Sequence, residues 1–122
     1  MSQVVSKSIL VIGTDLHFCY LMRRYIHESD RPFLLAHPGE DTLSRVLNEK
    51  PALIILEAET PETKNYQILR ELKSNLSTAQ VPVILCSWND DETRGLAEGA
   101  NLYLRMPILY GDFLATLNNL GV

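Results

Sequence analysis

The chain has few of the residues that mark metal-binding or disulfide-stabilised proteins. It holds only two cysteines, Cys19 and Cys86, which is too few for a disulfide framework or a thiolate metal site. Cys86 lies in an apolar run, so we expect a buried, reduced thiol there. The histidines, His17, His27 and His37, also lack the spacing of metal ligands. The sequence predicts no metal site built from cysteine or histidine.

Long apolar runs and clustered positive charge are also missing. No run approaches the roughly 20 apolar residues of a membrane-spanning helix, and residues 1–7 are too weakly charged and apolar for a secretory signal. The net charge is −4, and only Arg23 and Arg24 place two basic residues side by side. Binding a polyanion uses clustered lysine and arginine. We therefore expect a cytoplasmic protein that binds neither nucleic acid directly nor a membrane.

Short apolar runs alternate with amphipathic segments through the whole chain. The runs do not alternate between apolar and polar residues, which is typical of strands buried on both faces. Parallel strands joined by helices give an α/β, doubly wound sheet. We predict one domain over 1–122, with residues 1–7 as a flexible lead-in. The five predicted strands are 9–12, 33–36, 52–56, 81–86 and 102–105.

Apolar residues at helical spacing predict which side chains face the core. In the third helical segment we expect Arg70 and Lys73 to face outward. The expected inward positions of the four main helices are Phe18, Leu21, Met22, Tyr25 and Ile26; Leu43, Val46 and Leu47; Tyr66, Leu69, Leu72 and Leu76; and Phe113, Leu114, Leu117 and Leu120.

Three segments are similar to the receiver domain of bacterial response regulators: residues 51–57, 81–87 and 99–107. The resemblance covers nearly the whole chain, and three segments in the right order are more specific than any one of them. It implies a flavodoxin-like, CheY-like sheet of order 2-1-3-4-5 flanked by five helices. It also implies two-component phosphorelay signalling with a protein partner, such as a kinase, an output domain or an effector.

The resemblance also implies a site at the carboxyl ends of the strands. In working members an acidic pair holds Mg²⁺, an aspartate accepts a phosphoryl group from a histidine kinase, and a Ser or Thr and a Lys bind that group. We expect a degenerate pocket, with no catalytic residue, no metal and no cofactor. Its phosphoacceptor-equivalent position is Glu57, and its other members are Gly13, Thr14, Asp15, Ser87, Trp88, Met106 and Pro107.

The chemistry of the substituted positions supports this expectation. Mg²⁺ prefers oxygen ligands that include carboxylates, whereas Gly13 and Thr14 stand at the acidic pair. Glu57 reaches about 1.5 Å further than aspartate, one carbon–carbon bond, which misplaces an in-line attack. Met106 stands at the lysine position and cannot neutralise phosphoryl charge. Arg105 does not replace that lysine, because adjacent strand residues point to opposite faces.

Several side chains allow two interpretations each. Asp15 either caps the following helix or turns inward as a ligand. Glu57 is either solvated or bonded to Ser87 or a backbone N–H, where it would imitate the phosphorylated state. Ser87 is expected as a turn or cap hydroxyl in preference to a phosphoryl ligand. Trp88, with Glu59 across the mouth, either shields the pocket or has no role. Tyr103 either packs inward or acts as a switch.

A partner surface is expected around the fifth strand and the last helix. Tyr103, Leu109 and Tyr110 place aromatic and apolar side chains there, and the resemblance implies that this fourth-helix, fifth-strand, fifth-helix face contacts partners. A homodimer through the same face is one alternative. Ordinary core packing with isolated surface apolar residues is the other.

Three functions remain open from the sequence. The leading one is a degenerate receiver, not an enzyme, that acts by protein contact without aspartyl phosphorylation. The second is a phosphorylatable receiver that uses Asp15 and Glu57 with Mg²⁺. The third is a flavodoxin-like module for a small ligand, which is disfavoured because only Gly13 follows the first strand where a phosphate loop needs several glycines. The chain is either a single-domain regulator or a piece of a longer signalling protein.

Overall fold

A computed structural model describes residues 7–38, 40–58 and 64–122. Five strands pair in parallel in the order β2-β1-β3-β4-β5, with helices between them, which confirms the predicted fold. The elements are β1 (Ile9–Ile12), α1 (Leu16–Glu28), β2 (Phe33–Ala36), α2 (Thr42–Glu49), β3 (Leu53–Glu57), α3 (Lys64–Ser74), β4 (Val83–Ser87), α4 (Glu92–Ala97), β5 (Leu102–Arg105) and α5 (Tyr110–Leu120). Most of the predicted lead-in, and Glu59, lie outside the described residues.

Each face of the sheet has its own hydrophobic core, and β3 contributes to both. Ile54 and Leu56 pack in the cluster that includes α3, whereas Leu53 and Ile55 pack in the cluster that includes α1 and α5. Successive strand residues point to opposite faces, and both faces are covered by helices. The absence of apolar–polar alternation in this strand follows from that double burial.

Two predicted strands are displaced toward the C-terminus. β3 covers Leu53–Glu57 where 52–56 was predicted, and β4 covers Val83–Ser87 where 81–86 was predicted. Pro82 has no N–H to donate, and its carbonyl instead accepts from the Ile54 N–H at 3.0 Å. As a result, Glu57 and Ser87 are the last residues of their strands, at the same edge of the sheet.

Two predicted core positions are wrong. Leu47 is exposed on α2, and Leu76 is 91% exposed because α3 already ends at Ser74, so the helical spacing no longer applies to it. No helix in the described part of the chain is long and apolar enough to span a membrane.

Lys73 does not simply face outward as predicted. Its side chain is half-buried, and burial lowers its pKa. The ammonium donates to the Ala79 carbonyl at 3.1 Å, the Val81 carbonyl at 2.8 Å and Asn101 Oδ1 at 2.8 Å. Lys73 therefore ties α3 to the segments before β4 and β5, at the amino edge of the sheet and away from Glu57.

Candidate functional site

The predicted pocket residues meet at the carboxyl edge of the sheet. They follow the ends of β1, β3, β4 and β5, and the chain order reverses between β1 and β3, because β2 lies on one side of β1 and β3 on the other. In open α/β sheets this is the position where ligands bind. The site is therefore built from the loops after β1, β4 and β5 around the last residue of β3.

Glu57 is buried at the centre of this edge, with 9% of its surface exposed. Its Oε1 accepts the Thr14 N–H at 2.8 Å and the Asp15 N–H at 3.2 Å. Its backbone carbonyl accepts from Asn65 Nδ2. The solvated interpretation of Glu57 is wrong, because a buried carboxylate needs such donors. Its partners are backbone amides of the loop after β1, one of the two kinds of partner considered.

Gly13 makes room for the Glu57 side chain. A Cβ atom at position 13 would lie 2.8 Å from Glu57 Oε1 and 3.1 Å from Glu57 Cβ. Gly13 does not have a positive φ, so its backbone does not require glycine, and the restriction is one of space. From the sequence, Gly13 was interpreted as a missing metal ligand and as too little glycine for a phosphate loop, and not as space for Glu57. A glycine at the end of a strand is compatible with a close approach of another side chain, but it does not say which side chain approaches.

Asp15 caps α1. Its Oδ2 accepts the Phe18 N–H at 3.1 Å, and its backbone is extended, as an N-cap residue requires. Of the two interpretations of Asp15, the structure shows the cap. The two carboxylates of this edge, Glu57 and Asp15, thus both accept backbone N–H groups from the loop after β1 and the first turn of α1.

Ser87 is buried and its hydroxyl serves a turn. Ser87 Oγ accepts the Asn89 N–H at 3.1 Å, and the Ser87 carbonyl accepts the Met106 N–H at 2.8 Å. Arg105 is exposed, and its guanidinium lies 4.0 Å from the Asp90 carboxylate. The loop after β4 is therefore bonded both internally and to the end of β5.

An apolar cleft of about 180 Å³ lies between the start of α1 and the segments after β4 and β5. Met106, half-buried in it, stands where the resemblance expects a lysine. Trp88 lies at its wall and is 60% exposed, so it borders the pocket without being buried in it. The cleft is lined by Asp15, His17, Phe18, Leu21, Trp88, Met106, Pro107 and Ile108.

Tyr103 points inward, with 8% of its surface exposed. Its hydroxyl donates to the Asn89 carbonyl at 2.5 Å and accepts the Asp91 N–H at 3.2 Å. Of the residues predicted for the partner face, Leu109 is exposed, whereas Tyr110 is half-buried with its ring 5.2 Å from that of Tyr25 on α1. Leu109 alone of these three is presented to solvent, and the partner role of this face stays a prediction.

Both cysteines are free, and Cys86 is fully buried as predicted. Burial raises the pKa of Cys86, and the nearby negative charge of Glu57 raises it further. Burial also raises the pKa of Cys19, followed by the charges of Glu57 and Asp15. Across residues 7–38, 40–58 and 64–122, no cluster of three His, Cys, Asp or Glu side chains could hold a metal ion.

Comparison with known proteins places this geometry in context. No protein-family model matches the chain. PilH from Pseudomonas aeruginosa is 26% identical over 113 residues, covering 90% of this chain and 93% of PilH. The magnesium-bound receiver domain of the sensor histidine kinase PA1611 from the same species superposes with a TM-score of 0.82 at 18% identity, covering 96% of this chain and 99% of that domain. The chain has the receiver-domain fold.

Sequence similarity to response regulators supports the interpretation of this chain as a two-component receiver domain. The response regulator MprA from Mycobacterium bovis is 25% identical over 119 residues, which is 95% of this chain. The chain spans about half the length of MprA, 51%. The receiver fold places Glu57 at the end of its third strand and Met106 after its fifth.

The cap at Asp15 predicts the effect of replacing it. We expect Asp15→Ala to lower the free energy of unfolding by about 0.5–2 kcal/mol, the usual cost of losing an N-cap. Asp15→Asn keeps a capping oxygen and should cost much less. Urea unfolding in EDTA and in excess Mg²⁺ measures both variants. A loss seen only with Mg²⁺ would instead make Asp15 a metal ligand.

The close contact of Gly13 with Glu57 predicts that substitutions at the two positions have non-additive effects on the free energy of unfolding. Glu57→Ala should cost about 1.5–3 kcal/mol of stability, because charge-assisted hydrogen bonds are lost, whereas Glu57→Gln keeps an acceptor oxygen and should cost less. Gly13→Ala should also be destabilising, but the double variant should cost less than the sum, since Glu57→Ala removes the Oε1 atom that a Cβ at position 13 would meet at 2.8 Å. Additive losses in urea unfolding would refute the contact.

The charge of Glu57 predicts the reactivity of Cys19. Glu57→Gln removes that charge while keeping an acceptor for the loop, so the Cys19 pKa should fall and its alkylation by iodoacetamide at fixed pH should accelerate severalfold. Peptide mass analysis separates Cys19 from Cys86, which should stay unmodified in the native protein of both forms. An unchanged Cys19 rate would mean that Glu57 carries no charge felt there.

Proposed function

We propose that the chain is a degenerate receiver that signals through protein contacts without aspartyl phosphorylation. The observation that carries the proposal is the Glu57 carboxylate. Oε1 is bonded to two backbone amides, Thr14 and Asp15, and the side chain fills the space beside Gly13. In-line phosphoryl transfer needs the attacking oxygen placed to within about an ångström, and this carboxylate is held through Oε1 against the loop after β1. Glu57 instead supplies the negative charge that the backbone N–H groups of the loop after β1 bind.

The donor set of this edge does not fit Mg²⁺. The metal takes near-octahedral oxygen ligands, including one or two carboxylates. Asp15 is occupied as a helix cap, and an acidic side chain at Gly13 would collide with Glu57. Thr14 contributes only a neutral hydroxyl. The described residues therefore favour a pocket that is complete without the metal.

The lost lysine is consistent with the lost metal ligands. In a pocket with several carboxylates, a lysine and a divalent cation offset the like-charge repulsion. Here Glu57 is already matched by backbone N–H groups, so a buried lysine would have no phosphoryl group to pair with and would carry a desolvation cost. Met106 in an apolar cleft avoids that cost. The loss of the lysine and the loss of the metal ligands therefore both follow from one change in the charge balance of the pocket.

We further propose that a signalling kinase, an output domain or an effector is the partner, in the cytoplasm. The sequence similarity to the response regulator MprA supports a signalling role. Leu109, exposed between β5 and α5, is the apolar side chain of the predicted face most available to a partner, and interface cores favour such residues. A homodimer through the same face is the competing occupant.

The proposal predicts that the protein resists phosphorylation by a small acyl-phosphate donor with Mg²⁺. Intact mass should stay unchanged for the native chain. The matched control restores the family residues in one variant, Gly13→Asp, Thr14→Asp, Glu57→Asp and Met106→Lys, and we expect it to gain a phosphoryl adduct. Glu57→Asp alone should gain none, because the metal ligand and the lysine are still missing.

A stoichiometric adduct on the native protein that disappears in Glu57→Gln would overturn this proposal. It would establish the phosphorylatable receiver that uses Glu57 with Mg²⁺. An adduct that persists in Glu57→Gln would place the phosphoryl group elsewhere, and the degenerate pocket would stand.

A further inference from the structure

The Tyr103 hydroxyl is hydrogen-bonded to two residues of the loop between β4 and α4. The hydroxyl donates to the Asn89 carbonyl at 2.5 Å and accepts the Asp91 N–H at 3.2 Å. Ser87 Oγ accepts the Asn89 N–H at 3.1 Å, so the same loop is also fixed to the end of β4. The loop is therefore folded around one buried phenol oxygen.

Gly95 allows the Tyr103 ring to take this position. A Cβ atom on Gly95 would lie 2.9 Å from Tyr103 Cδ2, 3.3 Å from Tyr103 Cε2 and 2.9 Å from Leu85 Cδ2. Leu85 is fully buried in the core, and the Tyr103 ring is fixed at its hydroxyl, so neither neighbour can retreat without breaking packing or hydrogen bonds. The ring lies directly against the backbone of α4.

The contacts of Glu57 belong to a different loop. Its Oε1 binds the Thr14 and Asp15 amides after β1, whereas Ser87 and Tyr103 bind the loop after β4. Two sets of hydrogen bonds thus fix two loops of the same edge. The position of α4 is set by the second loop.

We infer that Gly95 and Tyr103 form a permanent clamp that fixes α4, and with it the α4–β5–α5 face, independently of the Glu57 carboxylate. The inward position of Tyr103 is a consequence of folding. Gly95 on α4 leaves space for the ring, and two backbone groups of the loop are bonded to its hydroxyl. The inference shares its face with the proposed function, but it does not require that phosphorylation be absent.

The clamp predicts opposite effects for two glycine substitutions in helices. Gly111 on α5 has no atom within 4 Å of an added Cβ, so Gly111→Ala should raise the melting temperature by about 2–4 °C through the unfolded state. Gly95→Ala should lower it, and Tyr103→Ala in the Gly95→Ala background should recover part of that loss. Gly95→Ala as stabilising as Gly111→Ala would overturn the clamp.

Amide hydrogen exchange tests its independence from Glu57. Tyr103→Phe keeps the ring but removes the hydroxyl, so the Asp91 amide should exchange at least about tenfold faster, the effect of losing roughly 1.4 kcal/mol of protection, while the Thr14 amide is unchanged. Glu57→Ala should do the reverse, accelerating Thr14 and leaving Asp91 unchanged. Comparable acceleration at Asp91 in Glu57→Ala would overturn the inference, since the pocket would then control the clamp.

Failure of the clamp inference is distinguishable from failure of the proposed function. Phosphorylation is read by intact mass on the native protein, and the clamp is read by exchange and melting of variants that need no phosphoryl donor. A phosphoryl adduct together with the crossed exchange pattern would retain the clamp and reject the degenerate pocket.

Discussion

The hydrogen bonds from the Thr14 and Asp15 amides to Glu57 Oε1 organise the carboxyl edge of the sheet. A buried carboxylate is costly unless donors surround it, and here the donors are backbone groups that would otherwise lack partners at the start of a helix. One side chain at the end of the central strand therefore fixes the loop after β1. That loop places Asp15 to cap α1, so the helix start depends on the strand end.

The fold could be predicted because its three central strands, β1, β3 and β4, are buried on both faces. Short apolar runs marked all five strands, and β1, β2 and β5 have the predicted bounds. The errors arose where periodicity was carried past the end of an element, as at Leu76 beyond α3. Strand ends also depend on hydrogen-bond partners in other strands, such as the Pro82 carbonyl that accepts from Ile54. A single sequence does not contain those pairings.

The site was predictable in its residues but not in its contacts. Resemblance identified Glu57 and Ser87 by position, and the burial of Tyr103 was one of two open interpretations. The fit of Glu57 beside Gly13, and of Tyr103 beside Gly95, depends on distances between residues far apart in the chain. In both pairs a glycine leaves space for a large side chain, so the informative feature is an absent Cβ. Spacing and composition do not report such absences.

Under the proposed function, the two glycine contacts account for an edge that signals without an external ligand. A receiver that responds to a phosphoryl group needs loops whose position depends on it, since a ligand shifts an equilibrium only through differential contacts. Here Glu57 supplies a resident anion for the loop after β1, and Tyr103 supplies a resident hydroxyl for the loop after β4. Because both loops already have partners from the folded chain, little binding energy is left for an external group to gain by moving them. An edge of this kind favours one conformation, and a partner that recognises it meets a preformed surface at low entropic cost.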